Sequence, residues 1–411
     1  MRPCGDGSNK TPVSPYSQRK QETMNKAEIF FALSAALVVY TYLGFPLLVF
    51  LRARFRRMPY DCGEITPMVT VVVVAHNEVA SIRQKMENLL ALDYPHDRLE
   101  IIVASDGSDD GTNEAVMEYR TRGIRLLPLP RRGKIPNLNA AVREARGQIL
   151  VFSDANSMYR PNALRILIRP FKDPGVGGVA GNQSYVSDTG NCISTGERTY
   201  WGFDQALKHW QSEAGSVTSA TGAIYAVRGE LFEPVPNGVS DDAMISYRVV
   251  ARGYRMVYEP GAIAYETVSP DARAEFRRKI RVCTRGLRAI AEFPQLLNPF
   301  RYGFFAVQLF SHKLLRWLMV WPLLAMILIS VGLAARSPFF KAAVVGQLLF
   351  YGLALGIFLI RSGKLAKSRI LRMITLPFYF CLANIACLIA QWWFISGRRI
   401  DLWEIRRAED F

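Results

Sequence analysis

Paired cysteines are missing from this chain. Six occur, at positions 4, 62, 192, 283, 381 and 387, and no two of them form a CxxC pair. That scatter argues against thiolate zinc sites and a disulfide framework, and it fits a reducing compartment. No GxGxxG follows the first β-branched run and GxxxxGK[ST] is absent, so neither the dinucleotide fingerprint nor the P-loop is present. There is no internal repeat. Charge is also missing from four long stretches, Ile29–Leu51, Trp317–Ala335, Ala342–Ile360 and Met373–Gly397, in a chain of 411 residues that is 50% hydrophobic with net charge +16. Each is long enough to cross a hydrocarbon core of about 30 Å, which takes about 20 helical residues.

Four membrane spans are therefore expected. The first exceeds a signal-peptide core of about 7–15 residues and no small-residue cleavage site follows it, so it reads as a retained anchor. Arg52, Arg54, Arg56 and Arg57 come directly after it and mark the cytoplasmic side, which makes residues 52 to about 313 cytoplasmic. Arg361, Lys364, Lys367, Arg369 and Arg372 fit a second cytoplasmic loop, while Arg398 and Arg399 oppose the outside C-terminus that four spans would give. The expected location is the cell (inner) membrane, multi-pass. Because the positive charge lies largely beside membrane segments, lipid headgroups and phosphate-bearing ligands are favoured over nucleic acid as partners. Residues 1–23 are polar and lack an apolar period, as in a disordered tail, and Met24 in "MNKAEIFF" is an alternative start.

Between the anchors, strand and helix patterns alternate. "VTVVVVA" (69–75) is a buried-strand run, "EVASIRQKMENLLA" (78–91) puts Val79, Ile82, Met86, Leu89 and Leu90 on one helical face, and "LEIIVAS" and "QILVFS" are further strands. The pattern predicts a mostly parallel α/β sheet covered by helices, with ligands beyond the C-terminal strand ends. His76-Asn77-Glu78, Asp106 and Asp154 all fall at such ends. The expected organisation is a tail (1–28), an anchor (29–51), the α/β domain (52–285), interfacial helices (286–313), three spans (314–397) and a C-terminal tail (398–411). The stretch 286–312 reads equally as a core helix packed on the sheet.

Taken alone, "FSDANS" (152–157) is an ordinary turn, since Asp, Asn and Ser suit turns for local reasons. Asp241 and Asp242 likewise suit a helix cap and first turn. The wider set of motifs changes the weight. "VVVVAHNE", "SDGSDDGT", "RRGKIPNLNAAV", "FSDANS", "ATGAIYAVRGELF", "SDDAMISYRVVARGYR" and "EFRRKIR" occur in the order seen in membrane-bound family-2 glycosyltransferases, which the chain resembles over roughly residues 66–320. That group includes the cellulose, hyaluronan and poly-N-acetylglucosamine synthases.

The resemblance implies a GT-A (nucleotide-diphospho-sugar transferase) domain with flanking transmembrane helices. It implies transfer, with inversion, of a sugar from a nucleotide-diphosphate donor such as a UDP-sugar to a polysaccharide or lipid-linked acceptor. Ala75, Glu78, Asp106, Lys134 and Asp154 are the implied nucleotide-binding positions, with Asp106 on the base and Lys134 a point charge on the diphosphate. Asp154 begins the family's Asp-X-Asp, a site for Mg²⁺ or Mn²⁺, and Asn156 stands where the second acid would be. Asp242 takes the general-base position, and neighbouring Asp241 would raise its pKa by like-charge repulsion. Arg278 and Arg281 take the diphosphate positions of a Gln-X-X-Arg-Trp motif whose Trp is here Val282, a departure that bears on processive synthesis. Trp201, Thr221, Gly222 and Asp241 are expected on the acceptor side. A homo-oligomer or export partner would complete a channel. The competing readings are a catalytically silent scaffold or nucleotide-sugar-binding subunit of an export complex, and a transporter. The latter would want ionisable residues at mid-membrane, which the four runs lack.

Overall fold

The computed structural model describes residues 25–186, 192–267, 272–359 and 369–399. The expected disordered tail, the loop around 361–368 and the segment from residue 400 onward lie outside them.

Among the described residues eight strands form one mixed sheet: β1 (Val69–Ala75), β2 (Leu99–Asp106), β3 (Ile124–Leu129), β4 (Ile149–Asp154), β5 (Met158–Tyr159), β6 (Val176–Val186), β7 (Tyr225–Arg228) and β8 (Arg255–Thr267). Their spatial order is β3-β2-β1-β4-β7-β6-β8-β5. Every residue of β1 is buried because the sheet is covered on both faces. The pleat sends Val69, Val71, Val73 and Ala75 into one core and Val72 and Val74 into the other. Helices α1 (Lys26–Phe55), α2 (Val79–Leu90), α3 (Thr112–Met117), α4 (Lys134–Arg143), α5 (Ala163–Ile168), α6 (Cys192–Glu213), α7 (Asp241–Ala251) and α8 (Ala272–Glu292) follow in chain order.

Register explains why the polar motifs meet. Strands β2, β1 and β4 are parallel, with Ala75 opposite Ser105 and Val74 opposite Asp154, so the residues that end them share one edge. Strand β7 is antiparallel to β4, with Tyr225 opposite Phe152, which brings the loop before β7 to the same edge. Ser153 Oγ accordingly donates to the Ala223 carbonyl at 3.3 Å.

Among the described residues three helices are long and apolar enough to cross a membrane: α1, α11 (Pro338–Leu359) and Leu376–Ile395 within α12 (Arg369–Ile395). The expected span 317–335 is not one straight helix. It is split between α9 (Phe304–Leu318) and α10 (Val320–Leu333), which are bent by 50° and pass as a span only as a pair. Pro322 sits at the start of α10 and has no N–H to donate, which favours a break at that place. The helix α8 also runs through residue 286, so the expected boundary between 285 and 286 falls inside one element. The anchor begins at Lys26 rather than 29, because Asn25 N–H binds the Glu28 carboxylate in a capping box.

Gly286 is where α8 meets α9, since a Cβ there would run into the Trp317 indole. Gly286→Ala is expected to lower stability by about 1–3 kcal/mol through overpacking, read from the thermal midpoint of the purified chain.

Candidate active site

Asp106, at the end of β2, is fully buried. Its oxygens accept from Arg131 NH1 at 2.8 Å, Arg132 N at 2.7 Å, Gly133 N at 2.9 Å and Asn137 Nδ2 at 2.7 Å. The expectation placed this acid against a nucleotide base. In the structure its acceptors are taken by the basic loop, which it shapes into the start of α4, because a buried carboxylate requires such donors. Glu78 precedes α2 and accepts from Ser81 Oγ at 2.6 Å, and Ala75 is buried at the β1 end. Between them Asn77 adopts φ 52, a left-handed conformation that Asn tolerates, and its amide donates to Asp109 Oδ1 at 2.8 Å.

From that loop Lys134 reaches two acids. Its Nζ lies 2.9 Å from Asp154 Oδ1 and 3.2 Å from Asp241 Oδ2, with 14% of its side chain exposed. Burial alone would lower its pKa, but Asp154 and Asp241 outweigh this and raise it above the ordinary lysine value. Gly222 closes the cradle. A Cβ there would sit 3.1 Å from Asp154 Oδ2 and 3.6 Å from Lys134 Nζ. Gly222→Ala is therefore expected to displace the Asp154 carboxylate and weaken Mn²⁺ binding by about tenfold, checked by metal titration, with fold stability little changed. Beside it the Thr221 hydroxyl is buried without a hydrogen-bond partner, an unfilled acceptor and donor at the site rim.

Asp241 and Asp242 occupy the first turn of α7, so the local reading of these acids holds as geometry too. Ser240 Oγ donates to Asp242 Oδ1 at 2.5 Å, and the Ala243 N–H at 2.7 Å. The two acids are driven apart. Burial first, then the charge of Asp241, pushes the Asp242 pKa up, whereas Asp241, although burial opposes it, is held below the usual carboxylate value by Lys134.

Arg281 faces this acid group from α8. Its pKa is pushed down to about 10, by burial first and then by Arg285 and Arg278, against the opposing charges of Asp154 and Glu275. Arg278 is bound bidentately by Glu275, at 2.6 and 2.8 Å. Arg285 was not among the expected residues, yet it acts electrostatically on both Arg281 and Asp241. Its i, i+4 spacing from Arg281 on a helix was the available signal.

Two further residues escaped the sequence reading. Lys85 is fully buried below the Asp154 turn, donating to Ser153 Oγ at 2.7 Å and to the Ser157 carbonyl, with Nζ 4.1 Å from the Tyr159 ring centre. Burial lowers its pKa to about 7, partly offset by Asp154 and Glu266. Glu266, on β8, accepts from Ser157 Oγ and from Gln183 Nε2. Trp201 lies on α6, with its side chain outside the described residues.

Among the described residues no group of three His, Cys, Asp or Glu forms a ready-made metal site. Asp154 offers one carboxylate at the crevice, and Asn156 is exposed two residues later. That donor set fits a hard divalent cation whose remaining ligands are water and substrate phosphate.

A sheet carrying acids and cations at its parallel strand ends, with a basic helix across the crevice, defines a nucleotide-diphospho-sugar transferase domain of GT-A fold. Residues 70–235 match the family model Glycosyl transferase family 2. The chain is 26% identical over 231 residues to the Probable glycosyltransferase YdaM of Bacillus subtilis (strain 168), covering 52% of this chain and 54% of that protein. It is 26% identical over 220 residues to the Poly-beta-1,6-N-acetyl-D-glucosamine synthase of Staphylococcus aureus (strain COL), covering 52% and 53%. The alignments span about half the length of these curated relatives. Among solved structures, mannosyltransferase PcManGT from Pyrobaculum calidifontis, in complex with GDP-Man and Mn²⁺, superposes with TM-score 0.67 at 25% identity, covering 90% of this chain and 100% of that one. Over residues 70–235 the chain is thus similar to the family-2 glycosyltransferases.

Proposed function

We propose that this protein is an inverting glycosyltransferase that takes a sugar from a nucleotide-diphosphate donor, a UDP-sugar by the family resemblance, to a polysaccharide or lipid-linked acceptor at the cytoplasmic face of the inner membrane. The observation that carries the proposal is the convergence of Lys134, Asp154, Asp241 and Asp242 at the strand ends, facing Arg281 and Arg285.

The donor diphosphate lies between Lys134 and the α8 arginines, whose mutual repulsion an anion relieves. Asp106 acts through the loop it organises. Asp154, with the amide of Asn156, would hold a divalent cation, Mg²⁺ or Mn²⁺, which when bound neutralises charge on the leaving diphosphate. Asp242 accepts the proton of the acceptor hydroxyl as its oxygen bonds to the anomeric carbon. The bond from that carbon to the donor phosphate breaks on the opposite side, and its electron pair leaves with the nucleoside diphosphate. One displacement inverts the centre.

The purified chain in lipid, given radiolabelled nucleotide sugars with Mn²⁺ or Mg²⁺, is expected to release nucleoside diphosphate from at least one donor. No release above the Asp242→Asn background would favour the silent binding subunit. Asn156→Asp is expected to tighten Mn²⁺ binding by about tenfold through added ligand charge, and unchanged affinity removes Asn156 as a ligand.

A further inference from the structure

Burial alternates through the stretch that carries the candidate metal ligands. Ser153, Ala155 and Ser157 are buried, whereas Asp154 is half-buried and Asn156 is exposed. The two candidate ligands therefore point away from the core, and the residues between and beside them point into it. From the opposite side α2 sends Lys85 into that core, on the same helical face as Ile82, Met86 and Leu89. Its side chain is fully buried. A lysine on a helix normally carries its head to solvent, and burying an amine is costly unless its donors are used. Here they are used on one stretch of chain. Lys85 Nζ donates to Ser153 Oγ at 2.7 Å and to the Ser157 carbonyl, and it lies 4.1 Å from the Tyr159 ring centre.

The two serines held in this way bracket the ligand turn. The Ser157 N–H closes the turn onto the Asp154 carbonyl at 3.3 Å, and Ser157 Oγ donates to Glu266 of β8. Ser153 Oγ, while accepting from Lys85, donates to the Ala223 carbonyl at 3.3 Å, directly after the Gly222 that closes the Asp154 cradle. Three residues along α2, Asn88 grips the next element instead. Its Nδ2 donates to the Tyr159 carbonyl at 2.7 Å, and its Oδ1 accepts from the Tyr159 N–H at 2.7 Å. Lys85 thus holds the turn, and Asn88 holds β5 after it. A site with one carboxylate and one neutral amide has little charge with which to draw in a cation, so its affinity depends on how well those side chains are placed beforehand. Groups behind the ligands set that placement.

We infer that Lys85 is a positioning residue for the divalent cation, holding the Ser153–Ser157 turn from the core side so that Asp154 and Asn156 present their oxygens together before the metal binds. This rests on the transferase reading above and adds to it a residue that acts only through the turn.

The test uses the full chain in lipid nanodiscs, with Mn²⁺ binding followed by electron paramagnetic resonance and UDP and GDP binding measured with Mn²⁺ and with EDTA. Lys85→Met keeps the apolar stem and removes the donor. It is expected to weaken Mn²⁺ binding by about 10–100-fold and to leave metal-free nucleotide affinity unchanged. Asn88→Ala is the control for a loosened core, expected to lower the thermal midpoint with Mn²⁺ affinity at the wild-type level. Unchanged or tighter Mn²⁺ binding in Lys85→Met overturns the inference, as does an equal loss in Asn88→Ala or an equal loss of metal-free nucleotide binding. A second measurement needs no variant. Amide hydrogen exchange over residues 155–158 of the wild type is expected to be slow and the same with and without Mn²⁺. Exchange that slows only when Mn²⁺ is added overturns the inference, because the metal and not Lys85 then orders the turn. A wild type that binds neither nucleotide nor Mn²⁺ overturns the transferase reading together with this one. A wild type that binds both, matched by Lys85→Met, overturns this inference alone.

Discussion

Asp242→Asn is expected to lower kcat by roughly 10²–10⁴-fold while nucleotide binding persists. An amide keeps the shape of the side chain and the hydrogen bonds from Ser240 Oγ and the Ala243 N–H, but it cannot take the acceptor's proton. The pH profile gives a second readout. The base works deprotonated, and its pKa is raised by burial and by Asp241, so the acid limb of kcat/KM lies above the ordinary aspartate range. Asp241→Asn removes the like charge and should move that limb to lower pH. A limb that does not move assigns it to another group.

Lys134→Met is expected to cost about 3–5 kcal/mol of stability, together with nearly all activity. It leaves Asp154 and Asp241, now 2.9 and 3.2 Å from the ammonium, facing each other in a part-buried crevice without the cation that pairs them, and with Arg281 and Arg285 of α8 as the counter-charges that remain. The pH dependence has a definite sign. In the wild type the Asp241 pKa is depressed, so its contribution is present above the unfolded carboxylate pKa and is lost as pH falls through the folded value. In Lys134→Met the Asp241 carboxylate loses that depression and burial raises it instead, so acidification should relieve the variant while it weakens the wild type. Thermal melts from pH 7 toward pH 4 compare the two, and parallel curves would refute the ion-pair account.

The strand-end acids were legible in the sequence because β-branched runs with period two name their own ends, and parallel register then brings those ends together. What period and motif could not supply was who binds whom. Asp106 looked like a ligand residue, and only the fold shows its oxygens occupied by the 131–137 loop. Lys85 shares the buried face of α2 with Ile82, Met86 and Leu89, where a lysine normally extends to solvent; the Ser153–Ser157 turn stops it. The broken span at 318–320 escaped a hydropathy reading because composition measures apolarity and not straightness.

The most direct test of the central claim is the configuration of the new bond. Nuclear magnetic resonance of the product from an α-linked nucleotide sugar is predicted to show a β-linkage, with one nucleoside diphosphate released per sugar transferred. An α-linked product, or donor turnover without any transferred sugar, would contradict a single displacement with Asp242 as base.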